Sequence, residues 1–140
     1  MSRWQGAPPL ARRAALVLVV VLSYGTAVHV VQLVATGFDP YPELPGWLRT
    51  YFITLTVLDP LAAVLLARRR RSGVVLAAAV LVSDSAANGV ANYALDPAGG
   101  VTVGRVGHAL ITLLAVGACA AAPRRWRSAC LLPRQREPAG

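Results

Sequence analysis

Four long apolar runs, separated by short segments of charge, proline or glycine, organise this chain. The first extends from Ala14 to about Thr36, directly behind Arg12 and Arg13. The second covers about Trp47 to Ala67 and stops at Arg68, Arg69, Arg70 and Arg71. The third covers about Val74 to Leu95 and gives way to Asp96-Pro97-Ala98-Gly99-Gly100, a segment rich in turn formers. The fourth covers about Val101 to Ala122, where Pro123 and further arginines end it. A helix needs roughly 20 apolar residues to cross a bilayer, and each run meets that length. The pattern therefore predicts an all-α fold, a four-transmembrane-helix bundle, with spans at about 14–36, 47–67, 74–95 and 101–122. The spans use nearly the whole chain of 140 residues, so no separate soluble domain is expected.

The connections carry their own signals. Gly37 to Trp47 holds three prolines, Pro40, Pro42 and Pro45, which exclude helix and favour a stiff, extended loop. Tyr41, Trp47 and Tyr51 around it resemble an aromatic belt at a membrane interface. Ser72 and Gly73 are expected to complete a tight turn after the four arginines. Residues 1–13 read as a basic amino-terminal segment. Residues 123–140 read as a basic, proline-containing, disordered tail in which Trp126, Leu131 and Leu132 are placed to touch the interface. A cleaved signal peptide is the competing reading of the first run, because a charged start is followed by apolar residues and by the small residues Gly25 and Ala27. The run continues through Val28, Val30, Val31, Leu33 and Val34 to full spanning length, which favours a retained helix.

Charge adds orientation. Hydrophobic residues make up 56% of the chain and the net charge is +8, with arginine supplying every basic side chain. A basic protein invites a nucleic-acid reading, but position argues otherwise. Twelve of the fourteen arginines fall in three clusters that precede, divide and follow the apolar runs: Arg3, Arg12 and Arg13; Arg68 to Arg71; Arg124, Arg125, Arg127, Arg134 and Arg136. Basic clusters stay on the cytoplasmic side, so both termini and the central loop are expected inside. Arg49 and Arg105 alone fall in the outer part. Anionic lipid headgroups are the expected counter-charge, nucleic acid is not an expected partner, and a membrane-protein partner or a homo-oligomer is possible. Arginine without lysine, beside much alanine, valine and glycine, fits a bacterial genome rich in G and C, hence the bacterial cytoplasmic (inner) membrane. Cys119 and Cys130 are too few for a disulfide framework.

Polar residues inside the runs are costly in hydrocarbon and mark candidate sites. Helical spacing puts them on one stripe per helix: Gly25, His29, Gln32 and Thr36; Phe52, Thr56, Asp59 and Ala63; Leu81, Asp84, Asn88 and Asn92; Gly104, His108, Thr112 and Cys119. Asp59 and Asp84 fall near the midplane, and His29 and His108 lie about 6 Å outward from the centres of their spans. Gln32 and Asn92 are nearer the outer surface. The stripes predict a pocket in the outer half, floored by two carboxyl groups that favour a shared or single proton. Asp84, with no proline beside it, is the strongest candidate. Asp59 precedes Pro60 and has a structural alternative, that of filling a break in the helix. Asn88 and Asn92 serve equally well as ligand contacts or as hydrogen-bond glue between helices. Thr56, Ser85 and Thr112 are expected to bond their own backbone, and Gly89, Gly104 and Gly107 to permit close helix approach.

Two histidines and two aspartates form a usable ligand set, so a divalent metal on His29, His108, Asp59 and Asp84 is conceivable, although no metal motif is present and none is assigned. Haem with His29 and His108 as axial ligands, and Arg49 or Arg105 near its propionates, is the related alternative. Ser83 and Ser85 lack a nucleophile motif and no phosphate-binding glycine loop occurs, so no catalytic residue is assigned and no cofactor is predicted.

The run Thr54-Leu55-Thr56-Val57-Leu58-Asp59-Pro60-Leu61-Ala62-Ala63, the arginines after it and Val82-Ser83-Asp84-Ser85-Ala86-Ala87-Asn88, with the upstream loop Asp39-Pro40-Tyr41 to Trp47, resemble a pattern found in small uncharacterised bacterial four-helix membrane proteins. The resemblance covers roughly the central half of the chain and implies a fold class without an activity. The expected function is a small polytopic membrane protein whose intramembrane pocket binds a small polar ligand or a proton through Asp84, Asp59, Asn88, Asn92, His29, Gln32 and His108. The alternatives are a non-catalytic accessory subunit, and a haem or metal carrier.

Overall fold

A computed structural model describes residues 9–37 and 39–130, with side chains through residue 120. The described chain is all α-helical apart from its loops: α1 (Pro9–Ala35), α2 (Gly46–Ala67), α3 (Arg71–Gly89) and α4 (Val103–Cys130), with a π-helical segment, Val90–Leu95, continuing α3. Four helices are long and apolar enough to cross a membrane, as in a multi-pass membrane protein. Exposed valines and leucines on all four, such as Val31, Val57, Val82 and Leu113, give the surface that lipid requires.

The helix ends follow local chemistry. α1 is described from Pro9. Arg12 and Arg13 therefore lie within the helix rather than before it. At the start of α2 the Pro45 carbonyl accepts from the N–H groups of Leu48 and Arg49 at 2.9 and 3.1 Å. The α2–α3 turn is made by arginines alone: Arg69 takes a left-handed backbone (φ 57), and the N–H groups of Arg69 and Arg70 close onto the carbonyls of Leu66 and Leu65 at 2.8 and 3.0 Å. Ser72 and Gly73, expected in the turn, belong instead to α3. Gly73 is needed there because a Cβ would lie 2.5 Å from the backbone C of Leu65 and N of Leu66. At the other end of α3, Asp96 N–H bonds the Ala91 carbonyl at 3.1 Å, closing the wider π turn. The fourth helix runs through Pro123, where a stop is expected, and on to Cys130. The rest of the tail, with Leu131 and Leu132, lies outside the described residues, as does Arg3.

Packing is sequential. α1 packs on α2, α2 on α3 and α3 on α4, and among the described residues no other pair of these helices packs comparably. The helices thus follow one another in a row. Burial agrees: α2 holds Leu48, Phe52, Leu55, Ala62 and Leu66 in the core, whereas α4 contributes Ala115 as its one buried residue among those described. A row has seams where a closed ring has one interior, and this decides which polar residues meet.

Candidate functional site

The first seam lies between α1 and α2 and is completed by α3. Gly25, His29 and Gln32 face it from α1, and Phe52, Thr56 and Asp59 from α2, each set at the three- or four-residue spacing that stacks side chains on one helix face. Three contacts bind the two stripes together. Deepest, the Asp59 carboxyl is turned across to α1, with Oδ2 2.5 Å from where a Cβ of Gly25 would stand, so glycine makes the room for it. Higher, the His29 ring stacks on Phe52 with centroids 6.2 Å apart. At the loop end, the Tyr41 hydroxyl donates to Gln32 Oε1. Tyr41 holds a left-handed backbone (φ 59), a conformation that side chains other than glycine adopt sparingly, and its ring lies 5.2 Å from that of Phe52. Burial, followed by the Asp84 charge, pushes its phenol up to about 12 against the lowering effect of the Gln32 bond. It therefore remains a hydrogen-bond donor at ordinary pH.

From α3, Asp84 enters the same group. It is within electrostatic reach of Asp59, Tyr41 and Tyr51. Asn88 Nδ2 donates to Asp84 Oδ1 at 2.8 Å and also approaches the Asp84 carbonyl at 3.0 Å. One turn on, Asn92 Nδ2 donates to the Asn88 carbonyl at 2.8 Å. Asn88 thus directs its amide group back along α3, and Asn92, in the π-helical segment, directs one N–H the same way. Tyr51, edge-on to Phe52 at 5.7 Å, donates to Ser83 Oγ at 2.8 Å and ties α2 to α3.

Three polar groups in this seam stand out because their hydrogen bonding is unfinished. His29 Nδ1 and Thr56 Oγ1 are buried with no partner among the described residues. Asp59, 5% exposed, receives no hydrogen bond from any described residue. Thr56 therefore does not bond its own backbone as expected. A buried polar atom without a partner costs about 1–3 kcal/mol, and such atoms are rare in folded proteins. Two such atoms, on His29 and Thr56, lie along one file that ends at the Asp59 carboxyl.

The second seam, between α3 and α4, gathers the remaining candidates. The His108 ring meets Tyr93 edge-on at 5.3 Å, and Nε2 lies 3.3 Å from Thr112 Oγ1 and 3.4 Å from the Cβ position of Gly89. Thr112 Oγ1 bonds the His108 carbonyl at 2.8 Å and shares a hydrogen bond with Ser85 Oγ across the seam at 2.6 Å. Asn92 Oδ1 rests against Gly104, where a Cβ has no room, while Gly107 faces open space. Arg105 holds the α3–α4 loop: Nε donates to the Asn92 carbonyl at 3.1 Å, and its two terminal nitrogens donate to the carbonyls of Gly100 and Ala98. Its guanidinium carbon lies 5.2 Å from the Tyr93 ring centre.

The structure thus brings His29, Gln32, Asp59, Asp84 and Asn88 together and puts His108 and Asn92 at the other seam. The two histidines sit on helices that do not pack on each other, and no three His, Cys, Asp or Glu side chains among the described residues gather as a metal requires. Arg49 is paired with Asp39 at 2.7 Å. Cys119 is exposed and unbridged, and the side chain of Cys130 lies outside the described ones. Tyr41 and Tyr51 are the contributors that sequence reasoning assigned only to an interfacial belt. Their signal was position, one in the proline loop and one a turn into α2, both adjoining the Phe52 stripe. No family model, no curated protein and no solved structure matches the chain, so the resemblance of its central half brings no named relative with it.

Proposed function

We propose that the chain is a multi-pass protein of the bacterial cytoplasmic membrane, with both termini inside, and that its α1–α2–α3 seam binds a small polar ligand or a proton. The observation that carries this is the file of unfinished hydrogen bonding at His29, Thr56 and Asp59. Asp84, Asn88 and Gln32 supply the remaining polar groups. Pure helix locking accounts poorly for the file, because groups that lock helices have partners, as Ser85 and Thr112 do at the other seam. Asp84→Asn tests it: the variant is expected to insert and fold, to lose proton uptake or ligand response, and to change host physiology. A stable, inserted variant with unchanged uptake and unchanged physiology counts against the binding role.

A second reading, an accessory subunit, draws on α4, which buries only Ala115 among its described side chains and exposes Val106, Leu110, Leu113 and Val116. A membrane-protein partner or a second copy of the chain fits that face, and crosslinking from Leu113 in membranes tests it. A haem or metal carrier through His29 and His108 draws least support, since the two line different seams. Bound chromophore or stoichiometric metal after mild purification would restore it.

A further inference from the structure

We propose that the occupant of the α1–α2–α3 seam is a small organic ammonium ion. This rests on the reading of the seam as a binding site and names the ligand class. The charge argument comes first. The seam contains Asp59 and Asp84, while the two arginines at the loop ends of the helices are engaged elsewhere, Arg49 with Asp39 and Arg105 with loop carbonyls at the other seam. Carboxyl groups inside a bilayer need a counter-charge or a proton, and an anion has nothing to hold it here.

The walls come next. Phe52, 5% exposed, is the centre of an aromatic group in which Tyr41, Tyr51 and His29 have ring centroids 5.2, 5.7 and 6.2 Å from its own. Aromatic faces attract alkylammonium ions, whose charge is spread over CH groups, and do so most strongly away from water. A bare metal ion instead needs a cage of oxygen or nitrogen ligands. Several of the oxygens at hand already have partners, Tyr41 with Gln32, Tyr51 with Ser83 and Asp84 Oδ1 with Asn88. No three His, Cys, Asp or Glu side chains gather among the described residues.

Open acceptors complete the argument and are independent of the acids. An ammonium N–H needs acceptors, and two atoms are buried without partners among the described residues: Thr56 Oγ1, which lies between Phe52 and Asp59 on α2, and His29 Nδ1, an acceptor when Nε2 carries the proton. Toward the α2–α3 turn the neighbours of Asp59 are apolar and packed: Leu22, Ala62 and Leu66 are buried, and Gly73 lies on the α2 backbone.

The test is calorimetric titration of the full chain in lipid nanodiscs with methylammonium, tetramethylammonium, sodium and magnesium chlorides, with proton uptake measured on the same preparation. Saturable binding of an ammonium ion in preference to both metal ions is expected, weakened about tenfold or more, roughly 1.4 kcal/mol, in Asp84→Asn. Phe52→Leu is expected to weaken it about threefold to tenfold through the lost aromatic face. If Asp84→Asn fails to insert, Thr56→Val carries the same expectation, since it removes an open acceptor and keeps the shape. Absence of ammonium binding beside Asp84-dependent proton uptake overturns this ligand class and leaves the binding site standing. Preference for sodium or magnesium overturns it equally. Absence of every ligand and of Asp84-dependent uptake overturns both readings.

Discussion

Gly25→Ala is the sharpest probe of the site, because it adds one methyl group next to the Asp59 carboxyl. The added Cβ lies 2.5 Å from Oδ2 and 3.5 Å from the carboxyl carbon. Comfortable contact between such atoms is about 3.5 Å, so the oxygen must withdraw by about 1 Å or the helices must part. Overpacking of this kind costs about 1–3 kcal/mol. Alanine also holds a helix better than glycine by about 0.5–1 kcal/mol, which offsets part of the loss. Gly107 on α4 separates the two effects, since a Cβ there meets nothing within 4 Å and the same substitution returns the helix gain alone. The difference in unfolding free energy between Gly25→Ala and Gly107→Ala, measured in mixed detergent micelles, is therefore expected at about 1–3 kcal/mol, with Gly25→Ala the weaker. Asp59→Ala in the Gly25→Ala background is expected to remove the collision, giving a coupling energy of similar size. Equal effects at the two glycines, or strict additivity with Asp59→Ala, would refute the placement of this carboxyl against α1.

At Gly73 the obstruction is backbone, 2.5 Å away and unable to rotate aside, so Gly73→Ala is expected to cost about 3 kcal/mol or more and to lower the yield of folded protein in detergent. For Tyr41, whose phenol is raised from 10.0 to about 12, the folded state keeps its proton longer than the unfolded one. The stability this gives is complete below pH 10 and declines as pH rises toward 12. Tyr41→Phe is expected to remove that alkaline loss, together with one late step of tyrosinate absorbance, and an unchanged alkaline profile would count against the buried loop. Arg105→Gln frees the carbonyls of Asn92, Gly100 and Ala98, partly exposed bonds worth about 1–2 kcal/mol together. Amide exchange is expected to rise in residues 96–102 and to stay unchanged in α1 and α2.

Four spans were legible because length and apolarity alone define them. Their ends were less so. The arginines at 12, 13 and 71 read as stops, yet arginine is a good helix former whose charged end reaches water from the last turns of a span, so helices run into these clusters. Stripes were legible too, since the helical period puts His29 with Gln32 and His108 with Thr112. Their partners were not. A stripe reports the polar face of one helix and carries no information on which neighbour it meets, and a row of four helices and a closed ring share the same stripes. Only the packing shows that His29 meets α2 while His108 meets α3. Thr56 was misread for a related reason: its hydroxyl is free to choose between its own backbone and the seam, and the sequence does not record the choice.

Asp84 and Ser85 show how the row divides its chemistry. They are adjacent in sequence and about 100° apart on the helix, so one turns toward Asp59 and the other toward Thr112. The amides of Asn88 and Asn92 climb between them, the first donating to Asp84 and the second to Asn88. This ladder makes Asp84→Asn informative. The replacement keeps an oxygen in place of Oδ1 for the Asn88 donor, so the ladder, the π-helical segment above it and the α3–α4 seam have no reason to change. What it removes is the charge and, at Oδ2, one acceptor that becomes an NH2 donor, the two properties that a cation would read. Loss of binding with exchange at Asn88 and in α4 unchanged then assigns the effect to charge, whereas loosening that spreads along the ladder into α4 would show that Asp84 holds the helix rather than a ligand.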